Sequence, residues 1–146
     1  LVLVGPAEDV LDPVSPETKR LINEIEAIDA VGSQKDVRPY YEKADALVFP
    51  SYREGFPNVV IEAGAMDLPS IVTDINGSRE IIKDGENGLI VPPRNENALY
   101  EAMEYMIENE KDVRRMSANA RQMVAQRFEQ GFVRQCLKDF YCEIMK

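Results

Sequence analysis

The chain has 146 residues, of which 45% are hydrophobic and 29% are charged, a globular rather than a disordered composition. Its net charge of −9 disfavours nucleic-acid binding and basic membrane-surface modules. It contains no histidine, which excludes a Ser-His-Asp triad, a Cys-His pair and any His-ligated metal site within the chain. Cys136 and Cys142 are predicted to be buried thiols in a reducing compartment, and no apolar run approaches the 18 residues of a membrane span.

Short apolar runs alternate with helical patterns along the first 91 residues. The predicted strands are 1–4, 27–31, 46–49, 70–73 and 89–91. The predicted helices between them are 16–25, capped by Ser15, then 37–43, 58–66 and 78–83. Strands that are apolar throughout and separated by helices are typical of parallel strands covered on both faces. The sequence therefore predicts an α/β, Rossmann-like open parallel sheet, whose ligands bind outside the carboxyl ends of its strands.

The sequence after residue 93 has a different character. Apolar residues recur at helical spacing in three successive segments, which predicts a helical C-terminal tail. The apolar face of the last segment, 132–145, is wide, and packing on the chain's own sheet or against a part absent from this sequence both explain it. We expect residues 1–146 to form a single domain that is truncated at its N-terminal end, because the chain starts inside a strand without an initiator Met.

A loop with unusual chemistry joins the third predicted strand to the third predicted helix. A helix N-terminus at the carboxyl end of a parallel strand suits a phosphate, and Gly55 leaves room for a ligand near the backbone. Glu54 precedes this helix, and Glu62 stands about 6 Å along its axis from Asn58. Two carboxylates on either side of an anion site suit sugar hydroxyls. The alternative is that Glu54 is a capping acid and Glu62 a solvated helix residue.

Glu54 and Glu62 form an E-x7-E pattern, preceded by Pro50-Ser51 and followed by Ala63. This stretch resembles the donor-binding motif of GT-B-fold retaining glycosyltransferases, especially glycosyltransferase family 4, group 1 type. The likeness extends over essentially the whole chain. The combined order of its motifs is far more specific than a lone E-x7-E. Its further segments are 44–45, 68–74, 77–82, 84–92, 114–116 and 120–121.

The resemblance implies transfer of a sugar from a UDP- or GDP-sugar to an acceptor hydroxyl, with retention of configuration. It implies that Glu54 is the catalytic residue, which binds hydroxyls of the donor sugar. Glu62 would bind the ribose, and Val37 would lie near the base. The implied sugar- and phosphate-binding positions are Gly55, Phe56, Pro57, Asn58, Val59 and Val60.

The resemblance also implies partners and a place in the cell. We expect no cofactor and no metal, in keeping with the absence of any Asp-x-Asp pattern. A glycan or lipid-linked acceptor would bind through an N-terminal domain absent from this sequence. The Arg and Lys that face the diphosphate in the family would lie on a strand and loop upstream of Leu1. The expected setting is polysaccharide biosynthesis, in the cytoplasm or peripherally at the inner membrane, with no nucleic-acid partner.

Two positions depart from the family's pattern. Asp67 stands where the family often has Gly, and Gly64 stands where a larger apolar residue is common. We interpret both as variations in packing that do not touch the chemistry.

Three other functions compete with this interpretation. The first is a nucleotide-sugar epimerase of the same fold, which would convert a nucleotide sugar without an acceptor. The second is a nucleotide-binding module that catalyses nothing. The third is a signalling receiver-like domain with Glu8 and Asp9 as its acids, disfavoured because no suitable Lys closes a late strand.

Overall fold

The computed structural model describes residues 1–6 and 13–145, so Glu8 and Asp9 of the receiver-like alternative lie outside the described residues. The chain divides into two compact units, Leu1–Lys43 and Ala44–Lys146, and each is described by itself. The single donor-binding domain over residues 1–146 stays a prediction.

Over its described residues, 1–6 and 13–43, the first unit contains two parallel strands, β1 (Val2–Val4) and β2 (Asp29–Gly32), and two helices. Helix α1 (Pro16–Glu24) begins as predicted: the Ser15 side chain accepts the Thr18 N–H at 3.0 Å. This bond satisfies one of the donors that a helix start leaves open. Helix α2 (Arg38–Tyr41) is a single turn.

The second unit contains a three-stranded parallel sheet with strand order β3-β4-β5. Its strands are β3 (Leu47–Phe49), β4 (Ser70–Thr73) and β5 (Gly88–Val91). Two crossover helices connect them: α3 (Asn58–Ala65) and α4 (Asn76–Ile81). The carboxyl ends of the three strands lie at one edge of the sheet, because all three run in the same direction.

Helices cover both faces of this sheet. Neighbouring residues of a strand point to opposite faces. Accordingly, Val72 packs with buried residues of α3 and α4, whereas Ile71 packs with Ala102, Met106 and Met116 of the helices that follow β5. The predicted α/β fold, with parallel strands and helices on both faces, is confirmed, and its strands are distributed over two sheets.

Three helices follow β5 and form the predicted helical tail. They are α5 (Glu96–Glu108), α6 (Glu110–Arg127) and α7 (Gln130–Ile144). Helix α7 buries none of its residues, so packing of its apolar face on the chain's own sheet is wrong. For the same reason Cys136 and Cys142 are exposed, and the prediction of buried thiols is wrong. Across residues 1–6 and 13–145, every helix is too short or too polar to cross a bilayer.

Candidate functional site

The loop between β3 and α3 leaves the sheet at its carboxyl edge. Its first anchor is Ser51, whose carbonyl accepts a short hydrogen bond from the Thr73 hydroxyl at the end of β4. The Ser51 hydroxyl in turn donates to Oε1 of Glu54 at 2.9 Å. Ser51 therefore links the half-buried Glu54 carboxylate to Thr73 of the sheet through two successive hydrogen bonds.

Helix α3 begins directly after this loop. Pro57 occupies its N-cap position in extended backbone, and no side chain forms a hydrogen bond that caps the helix. Asn58, the first helical residue, and Glu62 in the next turn are both exposed. An exposed helix start without a side-chain cap offers partial positive charge at the sheet edge, where an anion is stabilised.

Val60 is the last position that the sequence assigns to the donor diphosphate, through its N–H. This N–H donates to the Pro57 carbonyl at 3.1 Å, and the side chain is buried in the core. The N–H already has a partner inside the helix, because the first turn closes with a tight i to i+3 bond. The role of the Val60 N–H at the diphosphate stays a prediction.

Two residues distant in sequence contact the loop. The Phe56 ring, 43% exposed, meets the Phe128 ring edge to face, with centroids 5.5 Å apart and planes at 70°. The second residue is Gly77. A Cβ added to it would lie 2.6 Å from the Gly55 carbonyl oxygen and 3.0 Å from Cδ of Pro57. The loop thus packs on the backbone of α4 at a position where only glycine leaves space.

Val37, the candidate base-binding residue, belongs to the first unit. It is the half-buried N-cap residue of α2, and its carbonyl accepts N–H groups of Tyr40 and Tyr41. Its neighbours Asp36 and Arg38 form an ion pair at 2.7 Å. The Arg38 side chain, donating to Asp36, lowers the pKa of that carboxyl to about 2.

A shallow depression of about 150 Å³ lies at the carboxyl ends of all three strands of the second unit. Thr73 and Val91 line it from the strand ends, and Tyr52 and Arg94 line it from the loops. The Arg94 guanidinium stacks over the Tyr52 ring at 5.5 Å, and Arg94 itself has a φ of 58°. No sequence signal singles out Arg94, because its partner is 42 positions away.

The structure gathers most of the predicted site in one place. Glu54, the loop to Pro57 and the start of α3 are consecutive, so the E-x7-E pattern was a sufficient signal for them. Thr73, Gly77 and Phe128 were missed as contributors. Thr73 and Gly77 lie within segments that resemble the family, but the sequence pattern does not indicate which residues they contact. Among the described residues, no three His, Cys, Asp or Glu side chains cluster as metal ligands.

The fold matches solved glycosyltransferase structures. HepE from Anabaena, solved in complex with UDP-glucose, has a TM-score of 0.85 at 21% identity, covering 97% of this chain and 40% of that one. Sucrose-phosphate synthase from Thermosynechococcus elongatus has a TM-score of 0.82 at 27% identity, covering 99% of this chain and 38% of that one. The chain therefore has the fold of GT-B glycosyltransferases over almost its whole length.

The family model described as glycosyl transferases group 1 matches residues 1–123, and the chain belongs to that family. The capsular polysaccharide biosynthesis glycosyltransferase CapM of Staphylococcus aureus is 33% identical over 107 residues, 73% of this chain and 28% of CapM. The Campylobacter jejuni N,N'-diacetylbacillosaminyl-diphospho-undecaprenol alpha-1,3-N-acetylgalactosaminyltransferase is 30% identical over 120 residues, 82% of this chain and 32% of that enzyme. The chain thus spans about a third or less of the length of these relatives.

Proposed function

We propose that this chain binds the donor of a retaining glycosyltransferase, which transfers a sugar from a UDP- or GDP-sugar to an acceptor hydroxyl. One observation carries the proposal: a carboxylate fixed by an internal hydrogen bond, Ser51 to Glu54, stands directly before a helix start that has no side-chain cap. This pairs an acceptor for sugar hydroxyls with a stabiliser of phosphate charge.

The roles follow from position along the loop. Glu54 is the catalytic residue and accepts hydrogen bonds from the donor sugar, with the backbone of Gly55, Phe56 and Pro57 beside it. The start of α3 at Asn58 and Val59 stabilises the charge that develops on the departing nucleoside diphosphate, because its dipoles are already oriented. Glu62, exposed one turn further on, accepts hydrogen bonds from the ribose, and Val37 contacts the base.

The remaining parts of the proposal concern the whole protein. The reaction needs no metal, and the acceptor is a glycan or a lipid-linked sugar bound outside this chain. A lipid-linked acceptor is supported by the Campylobacter relative, whose name includes diphospho-undecaprenol. We therefore expect the protein to act in the cytoplasm, at or near the inner membrane.

Removal of Glu62 tests the nucleotide part of the proposal. In the full-length protein that carries this sequence, Glu62→Ala should weaken UDP or GDP binding by about 10- to 100-fold, since hydrogen bonds to a charged group are worth about 1.5–3 kcal/mol. Titration calorimetry with UDP and with GDP measures this. Glu101→Ala, an exposed glutamate of α5, is the matched control and should bind as the parent does. Parent-like affinity in Glu62→Ala would refute the ribose role.

A further inference from the structure

We propose that Gly77 and Phe128 are positioning residues that hold the loop 54–57, here called the donor loop, from two sides. The proposal rests on the function proposed above, because it assigns these residues a part in that site. Neither residue is near the loop in sequence: Gly77 is the second residue of α4, and Phe128 is the C-cap residue of α6.

Gly77 holds the loop by leaving room for it. It is buried as the second residue of α4, and its φ lies outside the left-handed region, so its backbone conformation suits any residue. The requirement for glycine is one of space: an added Cβ would lie 2.6 Å from the Gly55 carbonyl oxygen. A methyl group there forces the loop backbone to move, because that oxygen is not the tip of a flexible side chain.

Phe128 holds the loop through a contact anchored in the core. It is half-buried and packs against the buried cluster that contains Val60 and Val72. The Arg127 guanidinium lies 5.0 Å from the centroid of its ring, and the ring meets Phe56 edge to face. Phe56 is itself partly exposed. Its contact with Phe128 therefore restrains both the Phe56 side chain and the loop backbone that carries it.

The two contacts act on the same three-residue stretch. Gly55 and Pro57 rest on α4, and Phe56 between them rests on Phe128. Glu54 precedes that stretch and α3 follows it, so the spacing between the carboxylate and the helix start depends on both contacts. Supporting residues of this kind raise the reaction rate because they hold catalytic groups in the geometry that the reaction needs.

The first test compares two Gly→Ala variants in the full-length protein. Gly77→Ala and Gly131→Ala each change the second residue of a helix, but an added Cβ at Gly131 approaches only the flexible Glu129 carboxylate. We expect Gly77→Ala to lower the kcat for release of UDP from UDP-glucose or UDP-N-acetylglucosamine at least about tenfold. UDP affinity should change less than threefold, and Gly131→Ala should match the parent. Equal kcat in the two variants would overturn the proposal for Gly77.

The second test does not depend on whether Gly77→Ala folds. Phe128→Leu keeps an apolar side chain in the core but loses the edge-to-face contact, and Phe128→Tyr keeps the ring. We expect the leucine variant to lose about two- to tenfold in kcat, and the tyrosine variant to restore it. Equal kcat in Phe128→Leu and the parent, or equal losses in both variants, would overturn the role of Phe128.

A parallel Glu54→Ala variant separates this inference from the proposed function. If Glu54→Ala abolishes turnover while Gly77→Ala and Phe128→Leu retain it, the positioning role fails and the proposed function stands. If Glu54→Ala turns over like the parent, the proposed function itself fails. Thermal unfolding of each variant, recorded beside the kinetics, shows that the protein assayed is folded.

Discussion

The Glu54 carboxylate is oriented by the hydroxyl of Ser51, a neighbour within the same loop. Glu54→Gln keeps the shape of the side chain and removes its charge. We expect this variant to lower sugar transfer at least about 100-fold and UDP affinity less than threefold, because the residue acts on the sugar and not on the nucleotide. Transfer kinetics and calorimetry with UDP, on the same preparations, measure the two effects.

The matching variant is Ser51→Ala, which leaves the carboxylate in place and removes the bond that orients it. A single hydrogen bond contributes about 0.5–1.5 kcal/mol, so a two- to tenfold loss of transfer is expected. Equal losses in transfer and in UDP affinity for Glu54→Gln would contradict a sugar-side role. Conversion of a UDP-sugar to its epimer without acceptor would support the alternative enzyme class instead.

Consecutive residues of the candidate site could be predicted from the sequence, whereas contacts between distant residues could not. The loop and helix start were predictable because they are consecutive, and a pattern read along the chain describes consecutive residues. For Val60 the sequence did not reveal that its N–H donates to the Pro57 carbonyl. Phe128 was missed because its contact with Phe56 spans 72 positions, which no local pattern encodes.

The C-terminal end of helix α3 packs closely against α6. Gly64 packs close to α6, since an added Cβ would lie 2.9 Å from Cγ2 of Val124. Past the end of α3, Asp67 has a φ of 61°, and Arg121 donates to the Ala65 carbonyl at 2.6 Å and pairs with Asp67 at 3.3 Å. The two departures from the family's pattern thus have local reasons: close helix approach, and a left-handed turn that an Asp tolerates.

The close approach of α3 and α6 predicts that Gly64 does not tolerate a larger residue. Gly64→Leu should lower the free energy of unfolding by about 1–3 kcal/mol, the usual cost of overpacking. Urea denaturation with a fitted slope measures it. Ala65→Leu adds the same branched side chain at the next, exposed position and should change stability little. A Gly64→Leu variant as stable as Ala65→Leu would show that α6 moves aside freely.

Helix boundaries show how tertiary contacts override local signals. The sequence predicted a helix over 78–83, and α4 spans Asn76–Ile81. The helix ends earlier because the buried Asn87 side chain accepts the Lys83 N–H at 2.7 Å and donates to the Ile81 carbonyl at 3.1 Å. These bonds satisfy the backbone groups that another helical turn would use, and they come from a residue that the helical pattern does not include.

At the scale of the whole molecule, apolar burial is uneven between the two units. Both clusters of buried apolar residues in the described ranges lie within Ala44–Lys146, and all four residues of β4 are buried. In the first unit, β2 has two exposed and two half-buried residues. The sequence predicted all five strands, and β2, which contains Asp29 and Gly32, is less apolar than the fully buried β4.

This difference in burial predicts unequal resistance to local opening. Opening free energy rises with buried apolar contact, so amides of β4 should exchange only through global unfolding, whereas those of β1 and β2 open locally. In native-state hydrogen exchange of the full-length protein, we expect protection factors in β4 at least about 100 times those in β2. Adding urea should lower β4 protection with the slope of global unfolding and leave β2 protection nearly unchanged. Equal protection and equal slopes in both strands would show that the two units unfold as one.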